Sequence, residues 1–94
     1  MIIVSGRIYV RGGTRDKFLA LSAEAIVHAR RTAGCHDFVV AADPLEPDRV
    51  NVYEEWESKA ALTKFRGEGP GEDLSVFIVK AQVAEHIVPS RKSP

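Results

Sequence analysis

The run Tyr53-Glu54-Glu55-Trp56-Glu57-Ser58 changes the pattern of the chain from a strand to a helix. Across residues 49–57 the side chains alternate, with Val50, Val52, Glu54 and Trp56 on one side and Asn51, Tyr53 and Glu55 on the other. Ser58 then suits the cap of a short helix, 59–66, with Ala61, Leu62 and Phe65 on its apolar face. A chain that makes this switch has to pack sheet against helix. The run also carries the only tryptophan, beside three carboxylates. A Trp placed there is either an anchor of the core or one wall of a pocket.

The flanking segments extend the pattern. Residues 2–10 are β-branched and aromatic, with Gly6 marking a bulge or a close approach by another group. After the Arg11-Gly12-Gly13 turn, Thr14 is placed to cap a helix to about Thr32. Phe18, Leu21, Ser22, Ala25, Ile26 and Ala29 share one of its faces. Gly34 ends that helix, residues 35–42 read as a strand, and Asp43-Pro-Leu-Glu-Pro-Asp48 is a loop. Gly67-Glu-Gly-Pro-Gly71 breaks the second helix. From Glu72 to Lys80, Leu74, Phe77 and Ile78 have helical spacing whereas Val76-Phe-Ile-Val79 favours a strand; the spacing is read as a short helix. Residues 81–88 form the last strand. The predicted order is β-α-β-β-α-(α)-β, a ferredoxin-like α+β fold with an antiparallel sheet and helices on one face. Tyr53 and its apolar neighbours would then lie on an open face, which a second copy would cover in a symmetric homodimer.

At 94 residues this is one domain, 1–88, with a polar C-terminal tail, 89–94. Thirteen basic residues balance thirteen acidic ones, so charge points to neither nucleic acid nor an anionic membrane as partner. The single cysteine, Cys35, cannot make an internal disulfide and reads as a small buried hydrophobe. No apolar run is long enough for a signal peptide or a membrane span, and the chain reads as cytoplasmic.

Three stretches carry a family resemblance. Ala33-Gly34-Cys35 resembles the Pro-Gly-Cys opening of strand two in the antibiotic biosynthesis monooxygenase (ABM) domains of the dimeric α+β barrel superfamily. Asp43-Pro-Leu-Glu-Pro-Asp48 resembles their acidic hairpin loop. Tyr53-Glu54-Glu55-Trp56-Glu57-Ser58-Lys59-Ala60-Ala61-Leu62 is similar to their strand-three-to-helix signature. The resemblance covers about residues 2–88. It implies two protomers with sheets face to face and, in each, a cavity between sheet and helices. Some members oxidise polycyclic phenols to quinones with molecular oxygen and neither metal nor flavin; others oxidise quinols or degrade haem.

On that template Trp56 lines the cavity, where indole stacks on a flat ligand, or else it anchors helix to sheet. Glu54, on the same side, is a candidate base, or else a structural acceptor for backbone N–H groups or an arginine such as Arg7. His28 is the other candidate base, or else a surface or interface residue. Phe38, Phe65 and Phe77 would shape the pocket, with Val52 and Ser22 beside them; the Ser22 hydroxyl either enters the cavity or bonds back to its own helix. No histidine pair has metal-ligand spacing. The chain also departs from the family. Val52 stands where quinone-forming members carry an Asn, and residues 67–80 hold no His for the haem-degrading route. The expected function is therefore a cofactor-independent monooxygenase acting on a small aromatic phenol or quinol with oxygen as co-substrate. A non-catalytic ligand-binding or assembly dimer is the alternative, and a haem-binding protein a third reading.

Overall fold

The computed structural model describes residues 1–68 and 73–89. Strand β1 (Ile2–Val10) leads through the Arg11–Thr14 turn to helix α1 (Arg15–Arg31). A hairpin of β2 (Cys35–Ala42) and β3 (Arg49–Trp56) follows, then α2 (Lys59–Glu68), a 3-10 turn (Ser75–Phe77) and β4 (Ile78–Ile87). The four strands form one antiparallel sheet in the order β2-β3-β1-β4. This is the ferredoxin-like α+β arrangement that the sequence pattern predicts.

The register explains which side chains meet. Val4 lies opposite both Glu54 and Glu85, and Gly6 opposite both Val52 and Val83. On β2, Phe38 faces Glu54 and Val40 faces Val52. These rows project to the side where the helices pack, and there the core divides into two clusters. One gathers Ile2, Val4, Ala29, Phe38, Trp56, Leu62 and Phe65. The other gathers Val10, Phe18 and Val50, with Leu74, Phe77 and Ile78 against them at the opposite end of the sheet. Side-chain to backbone bonds fix α1 in place. Arg30 Nε donates to the Phe38 carbonyl at 2.9 Å. Arg15 Nη1 donates to the carbonyls of Asp43, Glu46 and Arg49 at 3.1, 2.9 and 3.3 Å, which pins the hairpin loop to the start of the helix.

The helix expected within 72–80 is corrected by the structure; Glu72 itself lies outside the described residues. Only Ser75–Phe77 makes a single 3-10 turn, and β4 already begins at Ile78. Leu74, Phe77 and Ile78 do face the core together. Their spacing fits a tight turn entering a strand as well as it fits a helix, and pairing with β1 decides between them. Helix α2 also runs on to Glu68, through Gly67. The Ser58 hydroxyl accepts from Ala61 N–H at 3.2 Å, as a cap should. Thr14 instead turns its hydroxyl back to the Arg11 carbonyl, at 2.7 Å, and makes no side-chain cap.

Gly6 marks a close approach. Its φ is +155°, and a Cβ there would collide with the Gln82 carbonyl of β4. Only a residue without a side chain lets the edge strand pair at this point. Gly6→Ala should lower the unfolding free energy by about 1–3 kcal/mol, the usual cost of a strained backbone position, with β4 amides losing hydrogen-exchange protection first. Unchanged denaturation midpoints and exchange rates would contradict the register described.

Candidate active site

Trp56 ends β3 on the helix side and is entirely buried. Its ring lies 5.1 Å from that of Phe65, centroid to centroid, and Phe65 in turn meets Phe38 at 5.6 Å. Aromatic pairs at such separations add stability beyond the area they bury. A buried indole N–H needs an acceptor. Glu54, two residues earlier and therefore on the same side of the strand, supplies it: Trp56 Nε1 donates to Glu54 Oε1 at 2.9 Å. Glu54 is 8% exposed. Burial raises its carboxyl pKa above the ordinary glutamate value. The indole hydrogen bond and the nearby Arg66 charge pull it back down, and Glu85 pushes it up. The result is an acid held in an apolar wall by one hydrogen bond, with its proton affinity raised.

The other sequence-predicted residues divide between the two clusters. Phe38 and Phe65 lie with Trp56. Val52 is buried two residues before Glu54 on the same side of β3, opposite Gly6 and Val40. His28 stacks on Phe65 at 5.3 Å, and its Nε2 lies 3.8 Å from the Glu68 carboxylate near the surface. Ser22 is buried, with its hydroxyl donating to the Phe18 carbonyl at 2.8 Å within the helix. Phe77 packs edge-on to Phe18, at 6.2 Å, in the second cluster. Arg7, weighed as a partner of Glu54, instead binds Gln82 with its Nε at 2.8 Å. It projects to the other face of the sheet, as its odd position on β1 dictates. Cys35 is partly buried, and burial together with the Glu54 and Asp37 charges pushes its thiol pKa up.

Sequence reasoning missed a charged group at the edge of this site. Glu85 on β4 accepts from Lys59 Nζ at 2.7 and 3.0 Å and from Arg66 Nη1 at 2.7 Å. The two cations stand at opposite ends of α2, seven positions apart and so on one helix face. That spacing is visible in the sequence, but their common partner is not until β4 is aligned beside β1. Among the described residues, no three His, Cys, Asp or Glu side chains gather where they could hold a metal ion. A separate polar hollow of about 240 Å³, lined by Gly13, Arg15, Asp16, Pro47 and Asp48, opens at the far end of the sheet from Trp56.

The fold and the Trp56–Glu54 wall place the chain in the class of small ferredoxin-like α+β domains. The family model for antibiotic biosynthesis monooxygenase matches residues 1–70, and the chain belongs to that family. Solved structures agree in fold. A proposed antibiotic biosynthesis monooxygenase of Chloroflexus aurantiacus is 23% identical, with a TM-score of 0.79 over 98% of this chain and 96% of that one. Another, of Nitrosomonas europaea, is 12% identical, with a TM-score of 0.82 over 94% and 98%. A Mycobacterium tuberculosis protein is 19% identical, with a TM-score of 0.81 over 98% of both chains. By sequence, an uncharacterised protein of Synechocystis is 33% identical over 61 residues, which is 65% of this chain and 42% of that one. The match thus spans less than half of that relative. No described helix is long and apolar enough to cross a membrane.

The raised pKa of Glu54 gives stability a definite pH dependence. Between the ordinary glutamate value and the higher folded value, the folded state holds a proton that the unfolded chain has released. Stability therefore falls as pH rises through that window, and the full cost persists above it. Glu54→Gln removes this titration while keeping an oxygen for the indole to bond. The variant's unfolding free energy relative to the native protein should climb as pH rises above about 4 and level off once Glu54 is ionised in the folded state as well, as read by urea denaturation across pH. A flat difference would show that Glu54 does not titrate abnormally.

Proposed function

We propose that the protein is a small-molecule monooxygenase that needs only molecular oxygen and an electron-rich phenol or quinol, with Glu54 as the base. The carrying observation is the Glu54 carboxylate, buried at the apolar Trp56–Phe65–Phe38 wall and hydrogen-bonded by the indole. A carboxylate whose pKa is raised by burial removes a phenolic proton more effectively than an exposed glutamate. The resulting anion is a strong enough reductant to react with oxygen directly. An anthrone, which enolises to a phenol, shows the balance: its CH2 becomes C=O, one oxygen atom enters the product, and the other leaves as water with the two hydrogens. The protein supplies the base, a fixed orientation and exclusion of bulk water. Phe38, Phe65 and Val52 shape the wall of the site. His28, which stacks on Phe65, is the alternative base.

The protomer is proposed to work as a homodimer. Ile3, Ser5, Val39 and Tyr53 share the sheet face opposite the helices, and the register sets Tyr53 between Ser5 and Val39 at its centre. A second copy of that face would bury Ile3, Val39 and Tyr53. Tyr53→Glu should convert the dimer to monomer in sedimentation velocity; an unchanged profile would exclude this face as the interface.

One observation favours a second reading, a non-catalytic binding or assembly dimer. The Trp56 ring has no exposed surface, and Phe65 covers one side of it. A ligand that stacks on the indole would first have to displace Phe65. Oxygen uptake on a panel of anthrones, dihydroxynaphthalenes and quinols separates the two readings. The monooxygenase reading expects uptake that falls by at least about a hundredfold in Glu54→Gln, the usual loss with a general base. No uptake across the panel by the folded protein would favour the binding module.

A further inference from the structure

Two carboxylates stand in one row of the sheet on the helix side. Val4 of β1 lies between Glu54 of β3 and Glu85 of β4. Adjacent strands lie about 4.8 Å apart, so the two backbones are roughly 10 Å apart. Helix α2 bridges the row by way of Arg66 and Lys59, both bound to Glu85. The Arg66 charge also reaches Glu54, where it favours the ionised carboxylate. Apolar side chains flank Glu85 on the same side of the sheet. Val83 is 40% exposed and Ile87 is 87% exposed. A flat ring has apolar surface to lie on here, beside the cations.

The ion pairs have little to offer stability. Solvent screens exposed pairs, and the Lys59 and Arg66 side chains are 59% and 48% exposed. Their charge arithmetic is more telling. Lys59, Arg66 and Glu85 together carry one net positive charge, which an ionised Glu54 balances. When Glu54 takes up a proton, that positive charge loses its counter-ion. Burial and the Glu54 and Asp37 charges push the Cys35 thiol pKa up, so Cys35 supplies no replacement anion.

We infer that Arg66 is a further catalytic residue of this site, binding the oxygen of a phenol or enolised anthrone as Glu54 removes its proton. The inference rests on the proposed role of Glu54 as base. In the step, the substrate O–H bond breaks and a new O–H bond forms on the Glu54 carboxylate. The electron pair stays on the substrate oxygen, and nothing is oxidised or reduced. The negative charge moves from Glu54 to the phenolate while Arg66 stays in place, so the net charge of the site is constant and little reorganisation is needed. Glu85 is a positioning residue that holds the guanidinium through their ion pair. The site then selects substrates by acidity: an aromatic hydroxyl is accepted, and its methyl ether gains nothing from Arg66.

The test uses 4-nitrophenol, whose phenolate has its own visible band, and 4-nitroanisole, its methyl ether. Both are equilibrated with the full-length protein about one pH unit below the phenol's own pKa, where roughly nine-tenths of the free phenol is protonated. Binding is read by equilibrium dialysis. The expected result is a phenolate band on binding to the native protein that is lost in Arg66→Gln and partly restored in Arg66→Lys. Phenol affinity should fall about tenfold in Arg66→Gln, as for a charged hydrogen bond, with nitroanisole affinity unchanged. If both ligands bind and the phenolate band is absent, or survives in Arg66→Gln, the role of Arg66 is overturned while aromatic binding stands. If neither ligand binds to folded native protein, the proposed monooxygenase reading fails, and this inference with it. Arg66 is half exposed, so its variants should fold; the unchanged emission of buried Trp56 checks that they do.

Discussion

Burying an indole obliges the fold to find an acceptor for its N–H. Trp56 buries on the order of 200 Å², worth about 5 kcal/mol as an upper figure. Leaving its N–H unpaired would cancel about 1–3 kcal/mol of that. The strand supplies the acceptor from two positions away, because residues two apart share a face. The acceptor is a glutamate, however, so solving the hydrogen-bond problem brings an ionisable group into an apolar wall. Burial in that setting raises its pKa, and the indole bond offsets part of the rise.

The sheet order then decides what surrounds this acid. With β1 between β3 and β4, Glu54 and Glu85 face the same side across Val4. Gly6 lets β4 approach closely enough for this alignment. Helix α2, beginning immediately after the Trp56 strand, lays Phe65 against the indole and Arg66 toward Glu85. Adjacent residues of one helix therefore serve different ends, one closing the apolar core and one bringing a cation to its rim. The first use depends on burial and the second on exposure, and the helix surface provides both.

The elements were largely legible in the chain. Alternation set the faces of β3, Gly34 and Ser58 marked helix boundaries, and the 53–62 signature pointed to the family that the match over residues 1–70 establishes. The misreading at 72–80 has a definite cause. Short apolar runs fit helix and strand alike, and only the β1 edge, a remote part of the chain, selects β4 there. In the site, proximity of Glu54 to Trp56 followed from their spacing. The separation of Phe77 from Phe38 and Phe65 did not, because two apolar clusters and one look alike in a linear pattern.

The sequence by itself determined which residues are apolar, how they repeat, and hence that one sheet packs against two helices. It also set Glu54 and Trp56 on a common face, since that depends only on local geometry. Tertiary structure alone decided that Arg7 meets Gln82 and that Lys59 and Arg66 converge on Glu85. Those outcomes depend on strand order and register, which bring together residues far apart in the chain. Local propensity carries no information about such distances.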